Sequence, residues 1–209
     1  MSSQDPIRQR GRFIAFEGGD GSGKSTQAAR LAESLGAVLT REPGGTPIGA
    51  KIRQLVLDPA SSELTNRTEA LLMAAARAQH VEERILPDLL AGKDVVSDRF
   101  VASSLAYQGV GRELGVEVIA ELNEFATDGL EPDLTVLLDT DPHTARTRLG
   151  EDLDRIEEAG AALGRQVVEA YRRFAEAAPT KWVIVDAEGT VDEVADRVLA
   201  AVQDRLGSQ

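Results

Sequence analysis

Eight consecutive residues, Gly18-Gly19-Asp20-Gly21-Ser22-Gly23-Lys24-Ser25, carry the densest chemical signal in this chain. Glycine at four of these positions lets the backbone take φ > 0 and turn N–H groups inward, while a lysine and then a hydroxyl close the run. The pattern G-x-x-x-x-G-K-[ST] cradles nucleotide phosphates, with Lys24 reaching the β- and γ-phosphates and Ser25 offering its hydroxyl to Mg²⁺. The ATP-facing stretch is Gly18, Gly19, Asp20, Gly21, Ser22, Gly23, Lys24, Ser25 and Thr26. A glycine-rich turn beside a surface lysine is the plain alternative, and the flanks oppose it. Phe13–Glu17 reads as a strand and Ser25–Leu35 as a helix, the context this motif needs. A second motif, Asp94-Val95-Val96-Ser97-Asp98-Arg99, ends a β-branched run in an acid–base pair. Asp98 suits Mg²⁺, directly or through water, and Arg99 suits a phosphate; a surface salt bridge is the bland reading.

Both motifs need a scaffold that brings strand ends together. Apolar runs at Phe13–Phe16, Val95–Val96, Leu134–Leu138 and Trp182–Val185, with a weaker one at Val38–Leu39, predict buried parallel strands. Between them, Ala28/Leu31/Leu35 and Val191/Val194/Val198/Val202/Leu206 repeat at helical period, each laying one apolar stripe on a sheet. Capping-box spacing at Asn66/Glu69 and Thr190/Glu193, and Asp141 before Pro142, mark helix starts. Alternating strands and helices predict an open α/β sheet with helices on both faces and ligands at the carboxyl ends of the strands.

The chain has 209 residues, which fits one domain. We expect a flexible N-terminal extension over residues 1–11, polar and without the apolar segment of a secretory signal, followed by a single domain over 12–209. No segment is apolar for long enough to span a bilayer, and without cysteine there is neither a disulfide framework nor a thiolate metal site, which fits a cytoplasmic protein. Against 35 acidic residues stand 23 Lys and Arg, a formal net charge of −12, which opposes generic nucleic-acid binding, so that any phosphate must be held by a local pocket.

Switches, motors, transporters and kinases all use such a phosphate loop, so the rest of the chain must decide. A guanine-reading Asn/Thr-Lys-x-Asp segment is absent, which disfavours a GTPase switch. Arginines spread through the sequence, Arg41, Arg53, Arg77 and Arg99, suit a second, phosphate-bearing substrate. Thr40-Arg41-Glu42-Pro43-Gly44-Gly45-Thr46, then Asp98-Arg99-Phe100 with Ser103-Ser104-Leu105-Ala106-Tyr107-Gln108-Gly109, then Pro132-Asp133-Leu134-Thr135-Val136-Leu137-Leu138-Asp139 and Leu153-Asp154-Arg155-Ile156-Glu157 resemble, in this order, the segments of bacterial thymidylate kinases.

That resemblance implies a P-loop nucleoside monophosphate kinase fold with a five-stranded parallel sheet, a homodimer, and transfer of phosphate from ATP to dTMP with Mg²⁺ in dTTP biosynthesis. It implies that Pro43 and Arg53 border the acceptor, Arg77 contacts thymine, and Arg99 binds the acceptor phosphate. Ser104, Tyr107 and Gln108 would line the base and sugar pocket, Tyr107 crowding a 2′-hydroxyl, and Asp20 would approach the acceptor sugar or phosphate. Arg77 as a solvent-facing helix residue, Tyr107 as core and Asp20 as a turn residue remain the structural alternatives. Met73 stands where many relatives carry an aromatic ring, offering the base a sulfur contact instead. Gly21 stands where some relatives carry an arginine. The missing charge is then expected from a lid near 146–158, with Arg148 or Arg155 ahead of Arg146, although on composition alone this segment also reads as a solvated helix face.

Overall fold

A computed structural model describes residues 10–148, 154–156 and 160–207. Five strands, β1 (Phe13–Glu17), β2 (Val38–Arg41), β3 (Val95–Asp98), β4 (Leu134–Asp139) and β5 (Trp182–Asp186), form one sheet in the order β2-β3-β1-β4-β5. Every pairing is parallel, with Ile14 opposite both Val96 and Leu134. Parallel strands buried on both faces explain the unbroken apolar runs, and the weak signal at Val38–Leu39 has a physical reason: β2 is an edge strand on which Leu39 is exposed.

Strand period sorts β1 between two cores. Ile14 and Phe16 point toward α1 (Lys24–Leu35) and α9 (Val191–Leu206), packing with Ala28, Leu31, Val194, Val198 and Val202. Phe13 and Ala15 point the other way, where Val81, Ile85, Leu89 and Phe100 close over them. Glu17 shares that second parity, so a carboxylate enters the packed side of the sheet and is fully buried. The second face is covered by a π-helical segment Val81–Ile85, which continues α3 (Asn66–His80) and runs into α4 (Leu86–Leu90), and by α8 (Ala161–Ala177). After β3, α5 (Val101–Ser104) passes into a π-helical turn, Leu105–Gly111, before α6 (Val116–Thr127). The remaining helices are α2 (Pro47–Leu57) and α7 (Pro142–Arg148).

Helix starts follow the sequence at two of three expected places. The Thr190/Glu193 capping box forms, and Asp141 Oδ1 accepts from the N–H of His143 at 2.8 Å. The third expectation is corrected. Thr65 rather than Asn66 caps α3, its side chain accepting from Thr68 N, and Glu69 is turned inward and buried. Arg10 and Gly11, expected within the extension, are fastened to the domain by the Arg10–Asp133 ion pair at 2.8 Å and by Gly11 N donating to Leu89 O. Residues 1–9, and residues 149–153 and 157–159 of the expected lid, lie outside the described residues.

Leu134 is 1% exposed at the centre of the sheet. Leu134→Ala is expected to lower the unfolding free energy by about 3 kcal/mol, as for other buried leucines, seen as a fall in the urea midpoint at constant slope. A loss under about 1 kcal/mol would contradict tight packing at that position.

Candidate active site

Strand β1 delivers the chain to Gly18, and the loop Gly18–Gly23 turns it into α1 through three positive φ angles, 149° at Gly18, 78° at Gly21 and 87° at Gly23. Gly23 caps α1 without a side-chain hydrogen bond, so the first N–H groups of the helix stay available to an anion. At Gly21 an added Cβ would lie 2.2 Å from the carbonyl oxygen of Ala145, so α7 sits directly against the loop. This contact explains why glycine stands here: a side chain would have to displace the α7 backbone.

The loop opens on a cleft of about 740 Å³ at the carboxyl edge of the sheet. At one end its wall holds Asp20 to Thr26, Gln27 and the β5–α9 loop (Ala187, Gly189, Thr190). At the other end stand Pro43, Arg53, Met73, Tyr107 and Gln108, with Asp98 and Arg99 between. Lys24 is buried, its ammonium donating to Gly19 O at 2.7 Å, and burial followed by repulsion from Arg99 brings its pKa down to about 8. Ser25 Oγ donates to Asp98 Oδ2 at 2.5 Å, while Asp98 Oδ1 is buried without a hydrogen-bond partner among the described residues.

Arg99 adopts φ 75°, a left-handed conformation that costs a non-glycine residue about 1–2 kcal/mol. Its N–H donates to Phe16 O at 2.9 Å and its carbonyl accepts from Ser97 Oγ at 2.8 Å, and these bonds hold the turn. The guanidinium meets the Asp20 carboxylate, packs 5.3 Å from the Tyr107 ring centre and donates to Tyr171 Oη at 3.3 Å. Tyr107 Oη also donates to Asp20 Oδ2 at 2.8 Å. Burial works to raise the Asp20 pKa, yet the charges of Arg99 and Lys24 hold it below the usual range, so Asp20 is an anion balanced by two cations.

Of the residues expected from sequence, Asp20, Pro43, Arg53, Met73, Arg99, Tyr107, Gln108 and Arg148 share this cleft. Arg53 donates to Pro43 O at 3.0 Å and Arg148 to Ala187 O at 3.2 Å. Arg77 lies outside the wall, 1% exposed, donating to Glu42 at 2.6 Å, Ser104 at 2.9 Å, Asn123 and Phe100 O at 3.0 Å. Four of its five N–H groups are thereby engaged, and one Nη2 hydrogen remains. Arg155 also stands off the wall, donating to Val56 O and to the Glu69 carboxylate. Arg146 is exposed at the end of α7.

Sequence reasoning missed the carboxylates that hold these arginines. Glu42 accepts from Arg77 and pairs with His80, whose Nε2 lies 2.6 Å from Thr40 Oγ1. Glu17 accepts from Phe100 N at 2.9 Å, Ser103 Oγ at 2.6 Å and Tyr171 Oη at 2.9 Å; burial raises its pKa, partly opposed by Arg99. Its parity with Phe13 and Ala15 was a readable signal. Gln27 was missed as well: it donates to Val191 O at 3.0 Å and keeps its Oε1 buried without a partner among the described residues.

Comparison with known proteins gives one answer. The thymidylate kinase family model matches residues 16–198. A thymidylate kinase of Lactobacillus helveticus is 45% identical over 208 residues, covering 94% of this chain and 98% of the relative. One from Symbiobacterium thermophilum is 48% identical over 200 residues, covering 93% and 94%. The crystal structure of thymidylate kinase from Ehrlichia chaffeensis superimposes with a TM-score of 0.75 at 31% identity, covering 93% of this chain and 99% of that one.

Lys24 generates a pH prediction. A cation whose pKa has fallen to about 8 is largely neutral above that pH, and bound phosphates favour its charged form. Nucleoside triphosphate binding should therefore take up a proton above pH 8 and weaken as pH rises further. Calorimetry at pH 9 in buffers of different ionisation enthalpy reads this directly; zero uptake would remove Lys24 from the phosphate contacts.

Proposed function

The chain belongs to the thymidylate kinase family, which makes it a nucleoside monophosphate kinase that phosphorylates dTMP to dTDP with ATP, and from that premise we propose how its cleft divides the work. ATP occupies the end of the cleft walled by the phosphate loop and Ala187–Thr190. dTMP occupies the end walled by Pro43, Met73, Tyr107 and Gln108. The observation that carries the acceptor assignment is Gln108, which lines the cleft and whose Oε1 is buried with no partner among the described residues. It is an acceptor waiting for a donor, and the N3–H of thymine is one. The remaining Nη2 hydrogen of Arg77 serves thymine O4 from behind, Ser104 keeps that guanidinium in place, and Met73 supplies a polarisable floor.

Arg99 exchanges Asp20 for the acceptor phosphate, aided by Arg53, and Asp20 turns to the sugar. Tyr107 rests against the deoxyribose. Asp98 Oδ1 and Ser25 would hold Mg²⁺, which prefers one or two carboxylates plus substrate phosphates and would supply positive charge to the phosphates of ATP. The bond between the γ-phosphorus and its ADP oxygen breaks as a dTMP phosphate oxygen bonds to that phosphorus. Lys24 holds the charge on the transferring group, and catalysis is positioning and neutralisation in a site arranged beforehand. Arg148 is on the cleft wall and so takes the role of the absent loop arginine at Gly21; Arg155 would act there only after giving up Glu69.

A second copy of the chain fits the exposed apolar residues Leu71 on α3 and Val118 and Phe125 on α6, neighbouring helices on one side of the domain. Among the described residues no helix is long and apolar enough to cross a membrane, and a chain without cysteine suits the cytoplasm.

Coupled ADP release across the common nucleoside monophosphates tests the reaction, with dTMP expected as the preferred acceptor and ATP turnover independent of acceptor as the contrary result. Arg99→Ala should raise KM for dTMP and lower kcat, with about 1.5–3 kcal/mol lost in kcat/KM. A change confined to KM for ATP would move Arg99 to the donor. Arg148→Ala should lower kcat by up to about 10³ with KM for dTMP little changed, as for an interaction made in the transition state. Unchanged turnover would return Arg148 to a surface role.

A further inference from the structure

Both oxygens of Glu69 are fully engaged. Oε1 accepts from Gln108 Nε2 at 2.8 Å and from Arg112 Nε at 3.4 Å, and Oε2 from Arg112 Nη2 at 3.3 Å and from Arg155 Nη2. The residue is 1% exposed, and its partners come from three places: the π-helical turn after α5, the residue following that turn, and the described piece of the lid segment. Burial acts to raise its pKa, yet the donors from Gln108 and Arg155 and the charge of Arg112 bring it below the usual carboxylate range. At neutral pH Glu69 is therefore an anion with no proton to donate.

This fixes the neighbouring amide. The two ends of a glutamine side chain are alike in shape and opposite in hydrogen bonding, so partners decide which way it faces. A carboxylate can only accept. Gln108 must give Glu69 its NH₂ end, and the flipped amide would set two oxygen acceptors against each other in a buried place. The carbonyl end is left over: Oε1 is buried and has no partner among the described residues, on a side chain that lines the cleft.

We propose that Glu69 is a positioning residue that sets the pyrimidine specificity of the acceptor site by locking the Gln108 amide with its carbonyl toward the base. The inference rests on the reading of this end of the cleft as the dTMP site. A base with a hydrogen on N3, thymine or uracil, meets an acceptor there. Cytosine carries a lone pair on N3 and meets like with like. The lock thus rejects cytosine by the sign of one hydrogen bond and is silent about the 5-methyl group. Arg112 and Arg155 act as its counterions, which gives the described lid arginine a role in recognition at a distance from the reacting phosphates.

The test compares kcat/KM for dTMP and dCMP in the wild type, in Glu69→Gln and in the doubly substituted Glu69→Gln/Arg112→Leu, which removes one buried positive charge along with the negative one. A glutamine at 69 can donate or accept, so Gln108 becomes free to turn. The dTMP-to-dCMP ratio is expected to fall about tenfold, the worth of one hydrogen bond. A merely structural role would lower both substrates together and leave the ratio alone; a ratio within about threefold of wild type in either folded variant overturns the proposal. On the wild type alone, dTMP methylated at N3 should lose at least about tenfold in kcat/KM, and its use as readily as dTMP also overturns the lock. Failure of the wild type to phosphorylate dTMP at all is a separate outcome that sinks the functional reading and the lock with it.

Discussion

One buried carboxylate carries the geometry of this cleft. Glu17 ends the central strand on the packed side of the sheet, where an unpaired anion would be prohibitively costly, and the chain satisfies it with Phe100 N, Ser103 N and Oγ, and Tyr171 Oη. Those donors come from Phe100 and α5, directly after β3, and from α8. The residue that launches the phosphate loop is thus the residue on which the acceptor loop is hung. The Arg99 guanidinium donates to Ser103 Oγ and Tyr171 Oη in the same cluster, so its aim is set by groups that also bind Glu17, while Phe16 and Ser97 hold its left-handed backbone. Donor and acceptor registers cannot drift apart without leaving that carboxylate uncompensated.

A chain of net charge −12 that binds two polyanions must manage sign locally. It does so by pairing three inward carboxylates with arginines: Glu42 with Arg77, Glu69 with Arg112 and Arg155, Asp20 with Arg99. These groups fall into two kinds. The Glu42 and Glu69 clusters are closed and buried, suited to holding shape. The Asp20–Arg99 pair is half-open on the cleft, where an incoming phosphate can compete for the guanidinium.

Much of this was legible in the sequence because the informative residues act through local rules. Gly18 to Ser25 declare a turn, a helix start and a phosphate site in eight positions, and Thr190 with Glu193 declares a cap. The central strands announce themselves by being apolar on both faces. What stayed hidden depends on contacts between distant segments. Asn66 and Glu69 have capping spacing, and nothing local says that Thr65 will take the cap while Glu69 turns in to meet Gln108, Arg112 and Arg155. Arg77 has the position that the family resemblance gives to a base contact and also the burial of a core residue, and its burial is visible only when Glu42, Ser104 and Asn123 are placed around it.

The contact between Gly21 and the Ala145 carbonyl gives the phosphate loop a neighbour instead of open solvent. The same few cubic ångströms cannot hold both the α7 backbone and a side chain growing from the loop. A positive charge supplied from within the loop and a helix lying flush upon it are therefore competing architectures for one volume. A lineage passing from one to the other would have to move the helix and the arginine together, since either change alone produces a collision or a charge deficit. Of these two arrangements, the chain has taken the one in which the helix lies on a bare loop.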